Sequence, residues 1–140
     1  MKTQDLFVSG LLLFFFSSSV FSQSVNYWIG GAPGLEREWN CPRNWSTGEV
    51  PNEFSHVVIP DVSIGSRSTP IVRSGLLEIG SLIMESNSAL EVQEQATLVV
   101  HEEIKTPKES ELKVEGMLIA WEEGMEFPGL ERLARPVSRY

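Results

Sequence analysis

Ser81 to Ile104 reads SLIMESNS ALEVQEQA TLVVHEEI, three consecutive units of eight residues. Each unit has Leu second (Leu82, Leu90, Leu98) and an apolar residue fourth (Met84, Val92, Val100). Apolar residues two apart are the mark of a strand with one buried face, whereas a helix places them three and four apart. The polar second half of each unit is read as the turn that follows the strand.

A longer spacing lies over this one. Leu90 and Val92 recur 22 residues later as Leu112 and Val114, Leu82 recurs as Ile104, and Leu76 precedes Leu98 by the same 22. Three sides of eight make about one turn of a three-sided coil, and strands about 4.8 Å apart then set like residues over like. The expected fold is all-β, a short right-handed parallel β-solenoid. Repeats of about 8 to 12 residues also suit an antiparallel β-sandwich, which is the alternative.

Upstream of the ladder, Val57-Val58-Ile59 closed by Pro60 reads as a buried strand, and Ile71-Val72 is a weaker strand candidate. Gly30-Gly31, Pro33-Gly34, Pro42, Gly48 and Pro51 break the preceding stretch into turns. Downstream, the ladder fades after Trp121, and Pro128 and Pro136 confine any helical turn to Leu130–Ala134. The N-terminus carries Lys2, then an apolar run from Leu6 to Phe16, then Ser17-Ser18-Ser19 and Val20-Phe21-Ser22. That run is shorter than the roughly 20 residues needed to cross a bilayer. It has the layout of a secretory signal, with small residues at −1 and −3 for cleavage between Ser22 and Gln23, and with cleavage after Ser24 as the alternative. The expected organisation is therefore a signal peptide over 1–22, a Trp/Gly/Pro-rich cap and first strand over 23–60, a β-ladder over 61–121 and an irregular tail over 122–140. The expected location is secreted, extracellular or at the cell surface, with no membrane span once the signal is removed.

Net charge is −8, and the signal removes Lys2 and Asp5 together, leaving that balance unchanged. Nucleic-acid binding draws on clustered Lys and Arg, so that partner is not expected. A single cysteine, Cys41, excludes an internal disulfide. Its neighbours Trp39 and Trp45 point to a buried thiol, with pairing between chains as the other reading.

The stretch Tyr27 to Pro60, YWIGGAPGLEREWNCPRNWSTGEVPNEFSHVVIP, resembles the opening of a repeat module in large secreted and surface proteins of Bacteroidetes-type bacteria. The resemblance rests on Trp28, Gly30, Trp39, Asn44-Trp45-Ser46, Gly48, Pro51 and Val57 to Pro60, followed by the Leu-x-Val ladder from Leu82 to Val100. It implies a β-helical segment of an adhesin-like protein and implies no reaction. A more distant similarity is to the G8-type β domain.

Chemistry-bearing residues are sparse. Trp28, Trp39 and Trp45 are the candidate ligand site, since flat rings stack on sugar faces; the competing reading packs them over the first rung. Glu102-Glu103 and Glu122-Glu123 are adjacent pairs, and neighbours on a strand point to opposite faces, so neither is a facing catalytic pair. His56 and His101 have no metal-ligand spacing, and Asp61 stands without an Asp-rich loop. No catalytic residue, metal site or cofactor is expected. Asn44-Trp45-Ser46 also matches the N-glycosylation pattern. The functional expectation is a non-catalytic structural or adhesive module, whose partner is a cell-surface glycan or another chain at the open end of the coil. A carbohydrate-binding module using Trp39 and Trp45 is the alternative, and a fragment of a polysaccharide-degrading enzyme is the third reading.

Overall fold

The structure is a computed structural model, and it describes residues 23–65 and 67–120. The expected signal at 1–22, Trp121, Glu122-Glu123, the Leu130–Ala134 turn and the tail lie outside those residues. The chain is all-β. The described residues form eight strands, β1 (Ser24–Tyr27), β2 (Ser55–Ile59), β3 (Ile71–Ile79), β4 (Ser81–Met84), β5 (Ala89–Val100), β6 (Ile104–Lys105), β7 (Glu111–Val114) and β8 (Met117–Ala120). One sheet has the order β1-β2-β4-β6; in the other, β5 lies between β3 and the pair β7 and β8. Every ladder between these strands is parallel. An antiparallel sandwich would need reversed neighbours, and the one reversed contact is the isolated bridge Trp28–Trp45.

Register places like beside like. In the first sheet Val57 lies beside Leu82, and Leu82 beside Ile104. In the second, Val72, Val92 and Val114 form one column, Leu77, Leu98 and Leu118 a second, and Ile79, Val100 and Ala120 a third. Val57, Ile59, Val72, Ile79, Leu82, Val92, Leu98 and Val100 have no exposed surface. The two sheets share this core. Parallel strands join through crossovers rather than tight hairpins, so each rung closes its apolar side chains against the rung before it.

Two expectations need correction. Leu77, not Leu76, stands beside Leu98, and Leu76 is 64% exposed. The ladder between β3 and β5 runs at an interval of 20 at Val72–Val92 and, after a register shift, of 21 from Ser74–Gln95 onward, one short of the expected 22. The extra residue on β5 lengthens the interval by one, and a one-residue difference from the expected interval sends a side chain to the other face. The second correction concerns the turns. Glu85 to Ser88 does separate β4 from β5, but Gln93 to Ala96 stays within the single strand β5. There Val92 and Ala96 point inward while Glu94 and Gln95 are exposed, so the strand rounds a corner without ending.

That corner is lined by small residues. Gly75 pairs with Ala96, and β8 begins just after Gly116, which follows the same corner one rung on. The amides of Glu115 and Gly116 both donate to the Val92 carbonyl, at 2.8 and 3.3 Å. Rung backbones approach so closely here that a Cβ on Gly116 would run into the Gln93 and Ala96 carbonyl oxygens.

Candidate functional site

Trp28, Trp39 and Trp45 come together, but not at the surface. Trp28 ends the inward face of β1, and the segment that follows folds back over it. Trp45 bridges to Trp28, while Trp39 takes a backbone bond from its own amide to the Ile71 carbonyl at 3.2 Å. The Arg37 carbonyl accepts from Ile71 at 2.8 Å, so the segment reaches the edge of the second sheet as well. Trp45 meets Trp28 edge-on at 5.1 Å and Trp39 at 4.7 Å between ring centroids. Edge-to-face pairs of this kind add attraction beyond the area they bury. The Trp28 indole donates to the Ser68 carbonyl and the Trp45 indole to the Trp39 carbonyl, each at 2.7 Å.

Their exposures are 0%, 1% and 1%. Sugar stacking needs a ring face open to solvent, so these three tryptophans do not make a glycan platform in this conformation. The aromatic residues that reach solvent nearby in the sequence are Tyr27, on the outward side of β1, and Phe54, just before β2, 48% and 49% exposed. Cys41 is free and buried.

Asn44 holds the segment's shape. It lies in the short 3-10 turn Pro42–Asn44 and is fully buried. Its Oδ1 accepts from the Ala32 amide at 2.8 Å, and its Nδ2 donates to the Leu35 and Glu38 carbonyls at 2.6 and 3.0 Å. The amide that N-glycosylation would need is thus occupied in the folded chain. Asn44→Ala leaves the buried Ala32 amide without a partner and takes one of two donors from each of the Leu35 and Glu38 carbonyls, and we expect it to lower unfolding stability by about 2 kcal/mol. A denaturant melt checks this, with Asn52→Ala on an exposed turn as the comparison.

Titratable groups form surface ladders rather than a catalytic pair. Glu91 stands between Arg37 at 3.5 Å and Lys113 at 3.9 Å, and Lys113 also meets Glu115 at 2.8 Å. The hydrogen bond and charge of Glu115, then the charge of Glu91, hold the Lys113 ammonium above its ordinary value. The Ser63 hydroxyl and amide hold the Asp61 carboxyl below its ordinary value. These pairs are exposed and screened, so they shape the surface more than they stabilise the fold. No cluster of three or more His, Cys, Asp or Glu able to hold a metal ion occurs among the described residues.

One polar group was not apparent from the sequence. His56 Nδ1 lies 2.9 Å from Ser81 Oγ, and His56 Nε2 lies 2.7 Å from Gln23 Oε1. Gln23 Nε2 donates to Glu102 Oε1 at 2.9 Å, and Ser81 Oγ to Glu102 Oε2 at 3.1 Å. Ser81 and Glu102 share the Nδ1 side of the imidazole, with Nδ1 and Glu102 Oε2 3.7 Å apart. In a Ser-His-acid triad the serine and the acid sit on opposite ring nitrogens. Ser81 is also 3% exposed, which hides it from a substrate. The four residues are a hydrogen-bonded ring on stacked rungs, not a nucleophile and its base. Gln23, expected as the first residue after signal cleavage, is one corner of it.

Residues 27–121 match a family described as Domain of unknown function (DUF8693). No curated protein and no solved structure matches the chain.

Proposed function

The chain belongs to the DUF8693 family, and from the rung geometry we propose that it is an exported, non-catalytic module, a short right-handed parallel β-solenoid with a structural or adhesive role at the cell surface or outside the cell. The observation that carries this reading is the register. From β2 onward the ladders repeat at 20 to 25 residues, as in Ile71–Glu91, Leu82–Ile104 and His56–Ser81, with apolar columns running through them, while β1 lies 31 residues before its partner on β2. A coil of that kind is built for stacking and for presenting an outer face. The buried tryptophans support a cap over the first rung. The β-helical surface-protein resemblance of Tyr27 to Pro60 and the export signal read from the sequence point the same way. Ser81 and Glu102 lie on the same side of the His56 ring, unlike a serine and an acid that work through a histidine.

The test is to follow the chain in cells that produce it. The expected product lies in the medium or on the surface, is degraded by protease added outside intact cells, and begins at Gln23. A product retained in the cytoplasm with Met1 in place would overturn the proposal. A glycan panel that changes tryptophan emission would move the reading to carbohydrate binding and require the cap to open.

A further inference from the structure

The ring of Gln23, His56, Ser81 and Glu102 can be read proton by proton. Glu102 Oε1 needs a donor from Gln23, so the Gln23 amide nitrogen faces the carboxylate and its carbonyl oxygen faces His56. An amide oxygen only accepts, so His56 Nε2 must carry a hydrogen. In neutral imidazole Nδ1 is then an acceptor and needs the Ser81 hydroxyl proton. Glu102 Oε2, 3.1 Å from the same Ser81 oxygen, needs that proton as well. Serine has one. With neutral His56 and ionised Glu102, one of the four contacts is two lone pairs facing each other.

One added proton completes the ring. With Nδ1 protonated, Nδ1 donates to Ser81, Ser81 to Glu102 Oε2, Gln23 to Glu102 Oε1, and Nε2 to Gln23. The imidazolium then lies beside the Glu102 carboxylate, 3.7 Å from Nδ1 to Oε2. The two strand neighbours of His56 among the described residues carry no charge: Val25 on β1 and Ser81 on β4. Glu103, next to Glu102, is paired with Lys105 at 3.0 Å.

We infer that this ring is a proton-closed clasp, which fastens the chain's entry into β1 to the β2, β4 and β5–β6 rungs when it holds one proton more than neutral imidazole and carboxylate supply. Gln23 precedes β1, and β1 has only four residues and one ladder partner, β2, among the described strands. A clasp at its start therefore governs whether the first strand stays docked. Histidine is the side chain suited to bring that proton between about pH 8 and pH 5.

The experiment is amide hydrogen exchange of the β1 residues, corrected for intrinsic rate, in the wild type, His56→Gln and His101→Gln. Gln at 56 keeps one donor and one acceptor but does not titrate. Between about pH 5 and pH 8 the wild type is expected to lose roughly tenfold of its β1 protection relative to His56→Gln, the scale of one hydrogen bond to a charged group. His101→Gln, which alters the separate His101–Glu78 pair, keeps the wild-type response. Equal pH responses in the wild type and His56→Gln would overturn the clasp. Nitrogen-15 shifts of the wild-type His56 ring give a second reading that needs no variant. Both nitrogens protonated at low pH and Nε2 alone at high pH are expected; a neutral ring protonated on Nδ1 would overturn the donor order.

Discussion

Trp45→Ala is expected to lower unfolding stability by about 3–5 kcal/mol, the range for emptying a buried large aromatic site. Domains of this size are stable by roughly 5–15 kcal/mol, so the variant retains little margin. The ring is 1% exposed and touches both Trp28 and Trp39 edge-on. Its indole N–H is also the partner of the Trp39 carbonyl, which the substitution orphans. Trp28, whose amide donates to Val58, and Trp39, whose amide donates to Ile71, lose their common neighbour, and the core they share is opened to water. Trp45→Phe refills much of the volume but not the hydrogen bond, and should recover more than half of the loss. Tyr27→Ala, on the exposed side of β1, should change stability by less than about 0.5 kcal/mol. Equal small effects at positions 27 and 45 would show that the tryptophan cluster is not a packed cap.

The second large effect is expected from the smallest substitution. Gly116→Ala adds one methyl group where the Gln93 and Ala96 carbonyl oxygens already occupy the space. Those are backbone atoms of the neighbouring rung, which cannot turn aside as a side chain does. A cost of about 3 kcal/mol is expected, the upper part of the usual range for overpacking. The damage should be local as well as global, with the amides of β7 and β8 losing exchange protection before those of β2 and β4. Gly31→Ala provides the contrast. No atom would crowd its Cβ, but its φ of 76° is in the left-handed region, so its cost is conformational and confined to the cap. Should Gly116→Ala melt with the wild type, the rungs do not approach at this corner.

These effects show which parts of the fold the sequence made legible. Leu90 and Val92 over Leu112 and Val114, and Leu82 over Ile104, are true register partners. They were readable because apolar columns in a parallel stack leave the same residue type at a fixed interval. Val57 to Ile59 was readable for the simpler reason that a β-branched run closed by Pro60 has few other uses. The course of β3 was not. Only Ile71-Val72 looks like a strand, because Arg73, Ser74 and Gly75 round a corner and an interval one short of the expected one puts Leu77 in the place expected for Leu76. Corners of this type carry polar or small residues and resemble turns in a one-dimensional reading.

The candidate site divides in the same way. The tryptophan cluster could be located from sequence, but whether its rings faced sugar or core depended on how residues 28–50 fold back. Asn44 looked like part of a glycosylation pattern, and only its three hydrogen bonds reveal it as a structural pin. The ring around His56 had no linear signature, since Gln23, His56, Ser81 and Glu102 are spread over 79 positions. The 22-residue interval does not reveal it either, because Ser81 lies beside His56 at an interval of 25.

The central claim is the parallel stacking of rungs at this register, and NMR contacts between assigned backbone protons across neighbouring strands test it most directly. The account predicts contacts linking Leu90 to Leu112, Leu82 to Ile104 and Leu98 to both Leu77 and Leu118, in the pattern of parallel pairs. Close pairs of α-protons facing each other across β5, the signature of antiparallel neighbours, would contradict it.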